Sequence, residues 1–261
     1  MAELKTPGDG ANKQRTLAVI PARLASTRLP RKVLREIAGE PMLARVYRAA
    51  RACPLLDQVL IATDSDEVLA FAQQHGLPAV FTPADCASGT DRVHAVAQSI
   101  PADIYVNIQG DEPMLRPEHI ASLLEPFSRA EVAVATLATP CTGDQIDNPN
   151  AVKVVTAANG RALYFSRATI PCDRDQQGSV AYRKHLGIYA YRRAALQQFP
   201  NLAPSALEAA EKLEQLRFLE NGIDIYVTET PYDTIGVDTE EDLQRVEKIL
   251  KGSEVSPSAV P

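Results

Sequence analysis

Three short polar clusters carry residue types that could do chemistry. The first, IPARLASTRLPRK from Ile20 to Lys32, holds four cations, Arg23, Arg28, Arg31 and Lys32, with Ala22, Ser26 and Thr27 as small neighbours. Guanidinium forks and successive backbone N–H groups can hold phosphate oxygens. The cluster has no glycine, so it is neither a Walker A loop nor a GxGxxG turn. A solvated basic loop is the plain alternative. The second cluster, NIQGDEP from Asn107 to Pro113, puts Asp111 just past an apolar run. A carboxylate there can hold a hard cation jointly with substrate phosphate oxygens, and Gly110 lets a ligand approach the backbone closely. Taken alone, a turn-forming carboxylate would look the same. The third cluster is Gly236-Val237-Asp238-Thr239, before the last helix. Thr239 or Asp238 can cap that helix, with Glu241 and Asp242 matched to its dipole, and by itself Asp238 reads better as a cap than as a ligand.

These clusters need a scaffold, and the hydrophobic pattern supplies one. Strands are expected at Thr16–Pro21, Gln58–Ala62, Ala79–Phe81, Asp103–Ile108 and Val132–Ala138. Helices are expected from Pro41 to Ala52, Asp66 to His75 and Thr90 to Ser99, with Pro117 to Ser128 continuing the alternation. Alternating strands and helices imply βαβ units, hence a parallel sheet with helices on both faces. Ligands bind such sheets beyond the carboxyl ends of the strands, where all three clusters fall. The rhythm changes between about residues 141 and 204, which contain strands Val152–Thr156 and Leu186–Tyr191 and read as a lid or dimerisation insertion. It resumes with a helix from Leu207 to Glu220, a strand from Asp224 to Thr228 and a helix from Glu240 to Leu250. The expected organisation is one α/β domain over 16–251, with a disordered extension at 1–15 and a disordered tail at 252–261.

Composition excludes several classes. The net charge is −6, and Lys and Arg are scattered rather than gathered into a stripe, so no nucleic-acid partner is expected. Cys53, Cys86, Cys141 and Cys172 lie far apart with no CxxC pair, which argues for reduced thiols rather than a zinc site or disulfides. No apolar run is long enough to span a bilayer, and residues 1–15 lack the apolar core of a secretion signal. No membrane partner is expected, and the expected location is cytoplasmic.

From Thr16 to Leu250 the chain resembles the 3-deoxy-manno-octulosonate (Kdo) cytidylyltransferases. The likeness is carried by IPARLASTRLPRK, SGTDR (Ser88–Arg92), NIQGDEPM (Asn107–Met114), NPNAVKVV (Asn148–Val155) and ALYFSRATIP (Ala162–Pro171). RKHLGIYAY (Arg183–Tyr191), LEQLR (Leu213–Arg217) and GVDTEEDL (Gly236–Leu243) complete it. The resemblance implies a Rossmann-like α/β fold with a mixed, mostly parallel sheet, helices on both faces and an inserted segment through which a homodimer forms. It implies transfer of CMP from CTP to Kdo with magnesium as cofactor, for lipopolysaccharide biosynthesis. By the same resemblance Ala22, Arg23, Ser26, Arg28, Lys32, Ser88, Gly89 and Arg92 match the CTP site. Asp111 and Asp238 match the magnesium-holding carboxylates, and with Arg23 and Lys32 they form the expected catalytic group. Gln109, Arg167, His185, Tyr189, Glu214 and Gln215 match the sugar-acid pocket. Of these, the fork of Arg167 suits a sugar carboxylate. Purely structural roles stay open: His185 as a hydrogen-bonded strand histidine, Tyr189 as packing, Glu214 and Gln215 as surface helix residues. The chain departs from the family at Arg31 and Val33, where members often have Gly and Pro, and at Cys172, where Trp is frequent. CMP-sialic acid synthesis on the same fold, and a non-catalytic nucleotide-binding regulator, are the alternatives. The ASTRLP and HLGIY segments favour Kdo over the first, and the presence of both aspartates argues against the second.

Overall fold

The computed structural model describes residues 14–24, 28–178 and 180–253. Strand β1 (Thr16–Pro21) is buried along its whole length. Ala18 and Ile20 face one core and Leu17 and Val19 the other, so both faces of the strand are covered and its sequence reads as a continuous apolar run. A small hairpin follows, β2 (Glu36–Ile37) and β3 (Glu40–Pro41), turned by Ala38 and Gly39, both at positive φ. The chain then alternates: α1 (Met42–Arg51), β4 (Gln58–Thr63), α2 (Asp66–Gln74), β5 (Ala79–Phe81), α3 (Gly89–Ser99), β6 (Ile104–Asn107), α4 (Pro117–Leu124) and β7 (Val134–Pro140). Next come β8 (Lys153–Thr156), β9 (Ala162–Ser166), β10 (Arg183–Arg192), α5 (Arg193–Gln198), α6 (Ala206–Glu211), α7 (Leu216–Glu220), β11 (Ile225–Glu229) and α8 (Glu240–Ser253).

The main sheet has the order β11-β7-β10-β6-β1-β4-β5. β1 pairs in parallel with β4 and β6, β4 with β5, and β7 with β11, whereas β10 runs antiparallel to both β6 and β7. This is the mixed, mostly parallel sheet that was expected. On one face Leu43 and Val46 of α1, Val68 and Ala72 of α2 and Ile120 and Leu123 of α4 meet the strands. On the other, Val93 and Val96 of α3, Leu196 of α5 and Leu216 and Phe218 of α7 do so. Each fully buried Leu or Phe contributes roughly 1.5–3 kcal/mol, so these two cores hold the strand ends firmly. Helix α8 makes a smaller third core, in which Leu243, Val246 and Val237 meet Leu29, Ile37 and Met42. That packing brings the third cluster against the first.

Several elements differ from the sequence reading. The strand expected at Leu186–Tyr191 is longer and lies inside the main sheet between β6 and β7, so this part of the 141–204 segment is not set apart from the core. The hairpin of β8 and β9 branches from β10 at Lys184↔Lys153 and places Val154, Ala162 and Phe165 in the second core. Strand β9 was not anticipated, because its alternation is broken by Tyr164 and Phe165 in succession. The single helix expected from Leu207 to Glu220 is two, broken where Lys212 takes a left-handed φ of 53° and Leu213 turns into the core. Helix α8 continues to Ser253. At the other end Arg15 is anchored, its N–H donating to Asp103 Oδ2 at 2.7 Å.

Candidate active site

The antiparallel β10 is what builds the site. In register, Tyr189 stands opposite Asn107, the last residue of β6, so the amino-terminal half of β10 projects beyond the end of its neighbour. A bulge between Leu186 and Tyr189 breaks the alternation against β7 at that point. His185 is thereby placed with its Nε2 3.0 Å from Thr136 Oγ1. The Thr136 hydroxyl also lies 2.8 Å from the Ile188 carbonyl and 3.1 Å from that of Leu186. Carbonyls only accept, so the single hydroxyl proton goes to them and Nε2–H of His185 donates to Thr136.

The first and third clusters meet over the second. Lys32 Nζ lies 2.5 Å from Asp111 Oδ2 and 2.8 Å from Asp238 Oδ1, while Arg28 pairs with Asp238 Oδ2 at 3.0 Å. Burial alone would lower the Lys32 ammonium, but Asp111 and Asp238 outweigh it and hold the group above its ordinary value. Burial would raise the Asp238 carboxyl, and Lys32 and Arg28 reverse that and hold it below the usual range. A backbone bond from Val237 N–H to Asp111 C=O, 2.9 Å, locks the two aspartate segments together. Asp238 is not the helix cap. Thr239 Oγ1 accepts from Asp242 N–H at 3.1 Å while the Asp242 carboxylate accepts from Thr239 N–H at 2.9 Å, which leaves the Asp238 side chain free for the site. Arg31, beside Lys32, has φ 56°, the left-handed region that suits glycine, which is the physical reason a glycine fits this position.

The two carboxylates fit a magnesium ion. Both already converge on one small cation, the Lys32 ammonium, and together they offer hard oxygen donors. Among the described residues no group of three or more His, Cys, Asp or Glu is arranged to hold a metal. The remaining positions would therefore fall to substrate oxygens and water, as magnesium prefers.

Arg23 donates to the carbonyls of Cys86 and Ser88, the latter at 3.3 Å, both from one guanidinium nitrogen. It ties the first cluster to the start of α3. Ala22 is buried and continues the β1–β4 ladder, its N–H 2.9 Å from the Ala62 carbonyl. Ser88 caps α3 in a capping box with Asp91. A Cβ on Gly89 would come within 3.2 Å of the Gln109 amide, so glycine keeps that contact open. Ser26 lies outside the described residues. Arg92, expected at the nucleotide, is instead fully buried, with 0 % exposure. Its guanidinium binds Asp64 Oδ2 at 2.8 Å and Thr82 Oγ1 at 2.5 Å, so it braces the loops after β4 and β5 and offers no face to a ligand.

Among the residues expected at the sugar acid, Gln109 Nε2 donates to Asn107 Oδ1 at 3.1 Å. The Glu214 carboxyl takes a hydrogen bond from Thr90, yet burial raises its pKa overall. Gln215 is 5 % exposed and its Nε2 is buried with no partner, a donor waiting for an acceptor. Neither residue is a surface helix position. Tyr189 stacks on Tyr191 with centroids 6.0 Å apart and tilts against His185 at 5.4 Å. Arg167 differs from expectation: its guanidinium donates to the carbonyls of Glu211 (2.7 Å), Pro149 (3.0 Å) and Lys212 (3.4 Å). It straps the 148–150 loop to the turn that carries Glu214 and Gln215, with its fork already engaged. A cleft of about 940 Å³ runs from Arg28 and Asp238 to Lys184, His185, Arg167 and Lys212.

Sequence reasoning missed Thr90, Asn107, Tyr191 and Glu112, all inside motifs it had singled out. Glu112 is half-buried beside Gly236, where a Cβ would come within 3.2 Å of its Oε1. Burial, then Asp111, pushes its pKa up to about 7.

His185 gives a stability prediction. Burial pushes its pKa down to about 3 from 6.5, so the unfolded chain binds a proton below pH 6.5 that the folded chain refuses. Its contribution is complete above pH 6.5 and is lost as pH falls towards 3. At pH 5 the loss should be about 1 kcal/mol, allowing for the ring edge that meets the cleft. Urea unfolding at pH 7 and pH 5 should show that loss in the native chain and not in His185→Gln; equal pH dependence in both would contradict the assignment.

Comparisons with known proteins agree with this geometry. A family model described as cytidylyltransferase matches residues 17–225. The 3-deoxy-manno-octulosonate cytidylyltransferase of Acidobacterium capsulatum is 72 % identical over 234 residues, covering 90 % of this chain and 96 % of that protein. That of Koribacter versatilis is 61 % identical over 237 residues, covering 91 % and 90 %. A solved structure of CMP:2-keto-3-deoxy-manno-octonic acid synthetase complexed with CTP superposes with a TM-score of 0.88 at 41 % identity, covering 92 % of this chain and 99 % of that one. The fold, the converging aspartates and these likenesses point the same way: the chain belongs to the 3-deoxy-manno-octulosonate cytidylyltransferase family.

Proposed function

We propose that this chain joins the CMP part of CTP to the anomeric hydroxyl of Kdo, releasing pyrophosphate. The observation that carries the reading is the meeting of Lys32, Arg28, Asp111 and Asp238 at the carboxyl end of the sheet, where Arg28 and Asp238 line a cleft that continues to His185 and Arg167. The reaction is an in-line displacement at the α-phosphorus. The hydroxyl on carbon two forms the new P–O bond, the bond to pyrophosphate breaks, and the hydroxyl proton passes to solvent water. Two anions must meet, so positioning and charge neutralisation supply most of the acceleration.

Arg23, Arg28 and Lys32 would neutralise the triphosphate, and the N-terminus of α3, capped by Ser88, would present backbone N–H groups to it. Asp111 and Asp238 would hold Mg2+, which when bound supplies further neutralisation of the phosphates and acidifies the attacking hydroxyl. Gln109, Glu214 and Gln215 would orient the sugar hydroxyls. His185, neutral across the working pH range, would act as a hydrogen-bonding wall of the pocket rather than as an acid. No separate general base is assigned. The reading includes a cytoplasmic location and a homodimer. Among the described residues no helix is long and apolar enough to cross a membrane, and Leu163 on β9 is 53 % exposed, as a subunit contact would have it.

The test is incubation with CTP, Mg2+ and a panel of sugar acids, following pyrophosphate and identifying the product. Kdo should give CMP-Kdo, with sialic acid at least about tenfold slower. Preference for sialic acid would replace the acceptor, and CTP binding without turnover on any acid would replace the enzyme with a nucleotide-binding regulator.

A further inference from the structure

The first turn of α3 is shared between two subsites. Ser88 caps the helix on the nucleotide side, and two residues on the Thr90 hydroxyl donates to Glu214 Oε1. Thr90 Oγ1 lies 3.2 Å from the Tyr191 hydroxyl. Tyr191 is in turn hydrogen-bonded to the Asn107 side chain. Asn107 Oδ1 accepts from Gln109 Nε2 at 3.1 Å. Thr90, Asn107 and Tyr191 are 2 % exposed or less, so none of these groups can turn to water instead.

The protons have one consistent arrangement. A carboxylate only accepts, so Thr90 gives its single proton to Glu214. The Thr90 oxygen then accepts from the Tyr191 hydroxyl. The Tyr191 oxygen accepts from the Asn107 amide nitrogen, and the Asn107 carbonyl accepts from Gln109. Every donor runs one way, from Gln109 through Asn107, Tyr191 and Thr90 to the Glu214 carboxylate. Gln109 Oε1 has no place in this chain and is left to accept from a ligand. A chain with one direction is stiff, because reversing any member leaves a buried donor facing a donor.

We infer that Thr90 is a positioning residue for the acceptor: through its hydroxyl it fixes the Glu214 carboxylate and, by the chain behind it, the Gln109 amide, as a single unit that receives the hydroxyl groups of a polyhydroxylated acid. The inference rests on the reading of Gln109 and Glu214 as acceptor-binding residues. It also explains why the SGTDR motif, which touches the nucleotide side, matters to the other substrate. The same turn supplies the nucleotide-side cap and the acceptor-side anchor.

Steady-state kinetics with CTP and Kdo on Thr90→Val, Thr90→Ser, Tyr191→Phe and Glu214→Gln test it, each variant first checked for cooperative unfolding. Thr90→Val should raise the acceptor KM about tenfold, the cost of leaving a buried acceptor unpaired, while the CTP KM stays within about twofold. Thr90→Ser keeps the hydroxyl and should restore the acceptor KM. Tyr191→Phe, which keeps the ring, should move the acceptor KM in the same direction and serves if Thr90→Val does not fold. An unchanged acceptor KM in Thr90→Val and Tyr191→Phe, with Glu214→Gln impaired, would overturn the inference and leave the acceptor site standing. So would equal rises in both KM values, or failure of Ser to restore. An unchanged acceptor KM in Glu214→Gln would overturn the acceptor reading itself, and the inference with it.

Discussion

Asp111→Ala should lower the turnover of CTP and Kdo by on the order of a thousandfold while leaving the protein folded. The rate effect follows from what Asp111 shares. Its carboxylate and that of Asp238 converge on one cation position, where Lys32 Nζ sits 2.5 and 2.8 Å from them. With one carboxylate gone, the divalent cation of the proposed reaction would keep a single protein ligand where phosphate charge develops. The small stability effect follows from what Asp111 does not carry alone. Its side chain is 28 % exposed, and an ion pair of that kind contributes at most about 1 kcal/mol. The bond that locks the two segments, from Val237 N–H to Asp111 C=O, belongs to the backbone and survives the substitution. Pyrophosphate release with saturating Mg2+ measures the first effect and thermal unfolding the second. Turnover near that of the native chain would end the metal assignment.

Arg92→Met should produce the converse: a large loss of stability whose functional consequences are secondary. The Arg92 side chain is fully buried and binds Asp64 at 2.8 Å and Thr82 at 2.5 Å. Removing it strands the Asp64 carboxylate at the carboxyl edge of the sheet, while the Thr82 hydroxyl keeps its bond to the Thr63 carbonyl at 3.1 Å. Breaking a buried pair by deleting one partner costs about 3–5 kcal/mol, and the lower end applies because Asp64 is 20 % exposed. The urea midpoint should fall accordingly. Replacing Asp64 by leucine in the same chain should recover part of the loss, since the orphaned charge is then absent. A variant of unchanged stability that failed to bind CTP would show that Arg92 faces the nucleotide after all.

Much of this architecture was legible because its periodicities are strong. β1, β4 and β6 are short, apolar and buried on both faces, and α1 and α3 present a clear stripe to the sheet. What periodicity does not encode is which strand lies beside which. β10 looks like part of an inserted segment in the sequence, yet it slots antiparallel between β6 and β7, and that placement brings His185 and Tyr189 to the site. The break at Lys212 was hidden for a related reason. Residues 207–220 have good helix-forming composition, and only the tertiary demands of Leu213, Glu214 and Gln215 interrupt them.

Residue roles divided along similar lines. Asp111 and Asp238 could be paired only by resemblance, because 126 positions of chain separate them and Asp238 alone looks like a cap. The structure assigns the cap to Thr239 and Asp242. Arg92 and Arg167 were legible as cations but not as struts, since a guanidinium that braces loops and one that binds a ligand have the same letter. Thr90, Asn107 and Tyr191 sat inside quoted motifs unnoticed, because a hydrogen-bond chain running from one element to the next leaves no spacing signal.

The central claim is that Asp111 and Asp238 gather a divalent cation at the triphosphate. Water-proton relaxation enhancement on titrating Mn2+ into the protein with CTP present tests it most directly, because the signal reports metal on the protein whether or not turnover occurs. The native chain should form the enhanced complex, and Asp111→Asn combined with Asp238→Asn should weaken it by at least about tenfold while unfolding cooperatively. An undiminished complex in the double variant would place the cation elsewhere and contradict the account.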